Sequence, residues 1–367
     1  MTGSIPEEEL APLRKQIDHI DSQILDLINQ RLNVGRKVGD VKKEKGSQVL
    51  DRSRERQVIE NLLQLNQGPA QNELLTYIFN VIITATRDIQ KPKTISYFGP
   101  LGSFSHVAAL NHFCHSGRFL PQGRLRDVFQ EVEKQESACG VVPVENSLEG
   151  TFSHTLDLFT EFGVRIVGEE YAPLTLDLLS ITGDSSHAET IVGEPGTLEQ
   201  CRGWLRRKFK HVQVKEAASS LQAVEMARTN PDLAAVVPGA TAAVHGLLPV
   251  ETQIQDASGN ITRYLILGQE EVQASGQDKT SIMFAASHVP GALLKALKPV
   301  EETGVNMLKL ESRPTRKENW QYYFFLDLEG HASQPQVAET IDAIRERTLY
   351  LRVLGSYPMA TEKRRGA

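Results

Sequence analysis

The stretch Leu10–Val41, LAPLRKQIDHIDSQILDLINQRLNVGRKVGDV, carries apolar residues at Leu10, Leu13, Ile17, Ile20, Ile24 and Leu27, then at Val34, Val38 and Val41. Alternating steps of three and four trace one face of a helix. At ~1.5 Å per residue that face runs about 45 Å, too long for a small domain to bury against itself. The pattern breaks at Gly46 and Ser47. Further helices are predicted from about Ser53 to Asn66 and from Gln71 to Gln90, so residues 1–92 read as an all-α bundle.

One position in the stripe is wrong. The member expected at 31 is Arg31. Lys42 lies 11 residues on, about three turns plus ~20°, so both cations share a face ~16 Å apart. Arg14 is ~25 Å away, within reach of the same small ligand only if an antiparallel copy of the helix brings its own Arg14 back. Residues 1–92 hold 13 basic and 13 acidic side chains, so placement matters here and bulk charge does not. Two readings stay open on periodicity alone. Arg31 is a snorkelling or ion-paired structural residue near Gly35 and Gly39, or it belongs to an anion site with Arg54, beside Asp51 and Glu55.

The whole chain has 367 residues, 40% hydrophobic and 23% charged, with net charge −6. That is globular composition with length for two or three domains, and it argues against a nucleic-acid footprint. Three cysteines without a CxxC point to a reducing, cytoplasmic setting and no disulfide framework. No long apolar run predicts a membrane span. His112, Cys114 and His115 lack a second ligand pair at zinc spacing, so no metal site is expected.

Beyond the proline-marked linker QKPKT, the texture changes. Residues 93–272 alternate strand-like and helix-like runs (TISYFG, ACGVVPVE, VRIVGEEY, VQVKEA, AAVVP and TRYLILG among the strands), which predicts an α/β domain in two small sheets. Residues 278–367 read strand, helix, strand, strand, helix, strand, the βαββαβ order of an α+β ferredoxin-like domain.

The first third, LRKQIDHIDSQILDLINQRLNVGRKVGDVKKEKG…VLDRSRERQVI, resembles the all-helical chorismate mutase of bacterial bifunctional enzymes. The resemblance implies an intertwined homodimer, or a tetramer built from it, that binds the dianion chorismate. By position it implies that Arg14 of the partner, Arg31 and Arg54 hold the carboxylates. Lys42 and Gln90 would meet the ether oxygen, and Asp51 and Glu55 the hydroxyl side; Thr86 falls where the family often has serine. The residue types suit a rearrangement that needs no nucleophile, metal or organic cofactor, only a held conformer and stabilised charge on the ether oxygen.

Three further motifs, YFGPLGSFSHVAA (97–109), VVPVENSLEGTFSHTLDLF (141–159) and GNITRYLILG (259–268), each read alone as ordinary turns or caps. In this order they resemble prephenate dehydratase, whose two subdomains are similar to type II periplasmic binding proteins. The resemblance implies that Thr262 activates the leaving hydroxyl of prephenate and that Arg263 orients a carboxylate or the strand. Ser103, Ser105, Asn146, Ser147 and Gln200 would line the cleft. Two departures stand out. Tyr264 replaces the family's common phenylalanine, and GEPG (Gly193–Gly196) replaces SHPQ, putting Glu194 near a site for a dianion.

GALLKAL (291–297) and ESRPT (311–315) resemble the ACT regulatory domain. This implies phenylalanine as effector, bound near Gly291, Ala292 and Leu293 and near Glu311, Ser312, Arg313 and Pro314. The expectation is a bifunctional chorismate mutase–prephenate dehydratase regulated by phenylalanine. One rival keeps only the mutase active, with the rest a ligand sensor; another is an arogenate dehydratase.

Overall fold

The computed structural model describes residues 7–44, 52–90, 93–114, 116–184, 188–239, 241, 245–314 and 322–360, with the side chains at 7–9, 43, 44, 52, 53, 87, 88 and 90 left aside. Asp51 therefore lies outside the described residues, as does the side chain of Gln90. The chain divides into two compact units, one of residues 1–93 with 113–118 and one of the remainder.

The first unit holds helices α1 (Glu7–Glu44), α2 (Arg52–Leu65) and α3 (Asn72–Gln90). Helix α1 has 38 residues, about 57 Å of rod. It packs on α3, and α3 on α2. The packed face of α1 is not the apolar stripe. Gly35 and Gly39 are buried, and Ile28, Arg31, Leu32 and Lys42 half-buried. Leu13, Ile17, Ile20, Ile24, Leu27, Val34, Val38 and Val41 are 45–62% exposed. Glycine at i and i+4 thus serves close helix approach.

The second unit opens with β1 (Thr94–Phe98), α4 (Phe104–His112), β2 (Arg118–Gln122), α5 (Leu125–Glu133), β3 (Cys139–Asn146), β4 (Gly150–Thr151), α6 (Ser153–Leu158) and β5 (Arg165–Pro173). It continues through β6 (Leu176–Ser180), β7 (Thr190–Gly193), α7 (Pro195–Gln200), α8 (Arg202–Lys208), β8 (Gln213–Glu216), α9 (Ser220–Thr229), β9 (Leu233–Pro238) and β10 (Leu248–Glu251), then β11 (Ile261–Gly268). One sheet runs β2-β1-β3-β11-β5 with β4 on β3, the other β10-β6-β9-β7-β8. The chain crosses between them twice, after β5 and before β11. At the crossing the Leu174 amide donates to the Asn260 carbonyl at 2.8 Å. The stretch LEQCRGWLRRKF, helix-like throughout in its composition, forms two helices, α7 and α8, meeting at Cys201.

The final segment gives β12 (Asp278–Ala285), α10 (Ala292–Thr303), β13 (Met307–Pro314), β14 (Tyr322–Glu329), α11 (Pro335–Glu346) and β15 (Tyr350–Pro358). Its antiparallel sheet runs β13-β14-β12-β15, as the βαββαβ order requires. One face packs α10 and α11 around Phe284, Ala296, Leu326 and Ile341. The other face joins the first α/β sheet, so Met283, Phe325, Leu354 and Tyr357 share a core with Phe129, Phe159, Ile166 and Leu265.

Candidate functional sites

In the helical unit Arg31 reaches α3. Its Nη1 donates to Thr86 Oγ1 at 2.5 Å, and Thr86 donates to the Ile82 carbonyl at 2.7 Å. Burial lowers the Arg31 pKa. So the structure joins two of the expected residues, Arg31 and Thr86, at the border between the glycine face and the exposed stripe. Lys42 is half-buried about three turns further along α1. On α2, Arg54 is exposed and donates to Gln57 Oε1 at 2.8 Å, and Glu55 is half-buried. Arg14 is exposed on the first third of α1.

In the second unit, three segments far apart in sequence meet at one cluster. Strands β3 and β11 pair so that Asn146 stands opposite Thr262. Asn146 Nδ2 donates to Thr262 Oγ1 at 2.9 Å and to Asn260 Oδ1 at 2.7 Å. Its Oδ1 accepts from the Leu148 and Glu149 amides, both at 3.0 Å, which fixes the amide orientation. Ser147 holds the same turn, its Oγ accepting from the Ile261 amide at 3.0 Å. Tyr264, two residues along β11 and therefore on the same face as Thr262, hydrogen-bonds Thr262 and Ser105. Burial holds the Tyr264 phenol well above its usual pKa, so it stays protonated. Asn146, Thr262, Ser105 and Tyr264 are each at most 5% exposed.

The glycine turn ahead of α4 presents Ser105 to this cluster. Ser103 turns inward and caps the helix, accepting from the His106 amide at 3.3 Å. The Gly102 amide donates to His106 Nδ1 at 3.1 Å, with Gly102 at φ +84. From the other sheet, Gln200 Nε2 donates to Glu149 Oε1 at 3.1 Å, and its Oε1 is buried with no partner among the described residues.

Of the two expectations for Arg263, orienting a carboxylate or orienting the strand, its contacts favour the second. It lies on the opposite face of β11 from Thr262, 6% exposed, with Nε donating to Glu169 Oε2 at 2.8 Å and Nη1 pairing with Asp327 Oδ2 at 2.8 Å. Burial works against its charge, but Tyr357, Asp327 and Glu169 outweigh that and raise its pKa. A guanidinium so satisfied orients the strand. Glu194 departs from expectation, since its Oε2 accepts from Ser220 Oγ at 3.1 Å, at the start of α9. At Gly193 any Cβ would press on Leu198 and the Val236 carbonyl at 3.0 and 3.2 Å, so close packing accounts for the missing serine.

In the C-terminal part, Gly291 (φ +78) starts α10 beside a cavity of about 410 Å³ lined by His288, Val289, Leu293, Leu294, Tyr322 and Phe324. The strand motif splits by face. Ser312 and Pro314 stand opposite Phe324 and Tyr322, on the side of that cavity. Glu311 and Arg313 point to the α/β sheet, Glu311 accepting from Thr151 at 3.0 Å and Arg313 pairing with Asp157 at 3.1 Å.

Sequence reasoning missed Asn260, Glu169 and Asp327, none of which carries a local signal. Tyr264 was visible only as a departure from pattern.

Family models match three segments in order: chorismate mutase type II over residues 13–91, prephenate dehydratase over 95–272 and the ACT domain over 280–346. A bifunctional chorismate mutase/prephenate dehydratase of Aquifex aeolicus is 40% identical over 357 residues, covering 96% of this chain and 99% of its own. The chain belongs to the bifunctional chorismate mutase/prephenate dehydratase family. It is thus an enzyme that rearranges chorismate to prephenate, then dehydrates and decarboxylates prephenate to phenylpyruvate.

Among solved structures, the prephenate dehydratase of Arthrobacter aurescens in complex with L-Phe is 27% identical with TM-score 0.66, covering 73% of this chain and 90% of that one. GqqA, a quorum-quenching acylase, aligns as well, with 26% identity, TM-score 0.66 and coverage of 74% and 100%. The fold therefore hosts another chemistry, and the assignment rests on the full-length relatives. No helix among the described residues is long and apolar enough to cross a membrane.

Proposed function

We propose that Thr262 is the group that activates the leaving hydroxyl of prephenate, held by Asn146 and Tyr264. Loss of CO₂ supplies the electron pair that aromatises the ring, and the ring hydroxyl leaves as water if a proton reaches it. Asn146 Nδ2 donates into Thr262 Oγ1 and so leaves the threonine's own proton to be directed at the substrate. Ser105 and Ser147 shape the same cleft, Ser103 supports it through its helix cap, and Gln200 reaches from the second subdomain to Glu149, beside the Asn146 turn. The observation that carries this reading is the convergence of residues 105, 146, 260, 262 and 264 on one hydrogen-bonded cluster.

In the helical unit, Arg31, Arg54 and Arg14 of a second copy hold the chorismate carboxylates, with Lys42 and Gln90 at the ether oxygen and Asp51, Glu55 and Thr86 at neighbouring polar atoms. The exposed α1 stripe supports a homodimer, since eight large apolar side chains on one face need a partner. Neither reaction calls for a metal or organic cofactor. Phenylalanine is the effector at the Gly291–Leu293 cavity, supported by the L-Phe complex of the Arthrobacter relative. Gly291, Ala292 and Leu293 form one wall, and Ser312 and Pro314 lie on the same side of the sheet. The reduced cysteines suit a cytoplasmic enzyme.

The test is to give the purified protein chorismate, prephenate and arogenate in turn, with and without phenylalanine, and follow phenylpyruvate and phenylalanine formation. Prephenate that accumulates unconverted would leave a mutase with a sensor attached. Turnover of arogenate in preference to prephenate would change the substrate but not the site.

A further inference from the structure

The cleft pair has a mirror on the back of the same sheet. After Thr262 and Asn146, the next register pair of β11 and β3 is Arg263 and Glu145. Strand alternation sends the first pair to the cleft and the second to the C-terminal domain. Arg263 meets Asp327 of β14 and Tyr357 of β15 there, the latter at 3.2 Å. Glu169 of β5 meets both Arg263 and Lys279 of β12, the latter at 2.9 Å. Each domain thus gives one buried cation and one buried anion, and each is paired across the boundary.

Glu145 accepts from Lys309 Nζ at 2.9 Å, and Lys309 also donates to Thr151 at 3.3 Å. Lys309 lies on β13, whose Ser312 and Pro314 face the cavity side while Glu311 and Arg313 hold Thr151 and Asp157. The strand therefore touches the effector side with one set of residues and the residues flanking Asn146 with the other.

We propose that β13, through Lys309 and Glu145, and the Arg263–Asp327 pair couple the effector cavity to the Asn146–Thr262 pair, with Arg263 a positioning residue rather than a substrate ligand. This rests on the reading of Thr262 as the reacting group and of the Gly291 cavity as the phenylalanine site. Buried paired charges resist being parted, because separation leaves one uncompensated. A displacement of β13 or β14 on effector binding must then be followed by β3 and β11 or undone by them, which is what a coupling free energy between two sites requires.

Two variants of the full chain test it, with mutase rate as the check that the protein is intact. Lys309→Met touches neither the cleft nor the cavity. It is expected to keep dehydratase kcat within about threefold and still bind phenylalanine saturably by equilibrium dialysis, while the half-inhibiting concentration rises about tenfold or more. Arg263→Lys keeps the charge without the fork. Its kcat is expected to fall about tenfold or more with KM for prephenate little changed, and Arg263→Met to fall further.

Unchanged inhibition in Lys309→Met, or a raised KM at unchanged kcat in Arg263→Lys, overturns the coupling. Thr262→Ala at the wild-type rate, or a wild type that binds no phenylalanine, removes the underlying reading and the proposal with it. Those outcomes differ from failure of the coupling alone, in which the wild type is inhibited, Thr262→Ala is inactive and Lys309→Met is inhibited like the wild type.

Discussion

A threonine hydroxyl is a weak acid in water, so Thr262 depends on what its oxygen touches. Asn146 binds it at 2.9 Å from a side chain whose own carbonyl is tied to two backbone amides. Thr262→Ala should lower dehydratase kcat about 10²–10⁴-fold, the range for losing a positioned proton donor, and leave the mutase rate unchanged. The readout is phenylpyruvate from prephenate. Tyr264→Phe removes one hydrogen bond made with Thr262 and should cost about tenfold or less, as one bond of ~1 kcal/mol allows. In the helical unit, Arg31→Ala should give a folded helical protein by circular dichroism, with mutase kcat/KM down about 10²-fold or more. An unfolded Arg31→Ala beside an active Arg31→Met would make that arginine structural. Thr262 and Asn146 were legible because each sits in a recognisable local motif. Asn260 and Asp327 were not, since their partners lie 114 and 64 residues away and nothing in one segment announces the other. Arg263 was legible as a residue but not as a direction. Only the register of β11 shows which face takes it.

The elements were legible where their period is long or their apolar content high. Helix α1, the six-element C-terminal order and the buried strands β3, β5, β9 and β11 follow from spacing alone. Strands β2, β6, β7 and β10, of 4 or 5 residues each, were not read, whereas β1 and β8, as short, showed through their flanking apolar alternation. Helix α1 shows what periodicity leaves open. It located an apolar face but not its occupant, and α3 takes the glycine face instead. On the homodimer proposed above, the stripe would be the surface for a second copy, and Arg31, at the border of both faces, would be completed by it. Ile20→Asp with Ile24→Lys places two charges at the middle of the stripe. By sedimentation velocity the species should shift from dimer toward monomer, and the mutase rate should fall with it, because Arg14 of the partner no longer arrives. A dimer of unchanged stability would mean that the stripe is covered by something else.

On the scale of the whole molecule, the dehydratase and the ACT segment are separate in sequence pattern yet share one core. Strand β15 lies on β5 so closely that a Cβ at Gly355 would collide with the Ile166 carbonyl oxygen. Tyr357, Leu354 and Met283 enter among Phe129, Phe159 and Leu265. Two bodies joined by a core and by buried ion pairs should unfold as one, since neither can keep its side of the boundary solvated without exposing apolar surface and parting charges. Gly355→Val tests this at a place remote from both the cleft and the effector cavity. Overpacking costs about 1–3 kcal/mol among side chains alone and more against main chain, so the melting temperature should fall by at least about 2–10 °C. In scanning calorimetry dehydratase activity and phenylalanine binding should be lost in the same, lowered transition. Mutase activity assayed at 25 °C should be unaffected, because Gly355 belongs to the other compact unit. If phenylalanine binding instead survived heating that abolishes the dehydratase, the ACT segment would be an independently stable body. The shared core would then be a contact between neighbours and not the frame through which one domain governs the other.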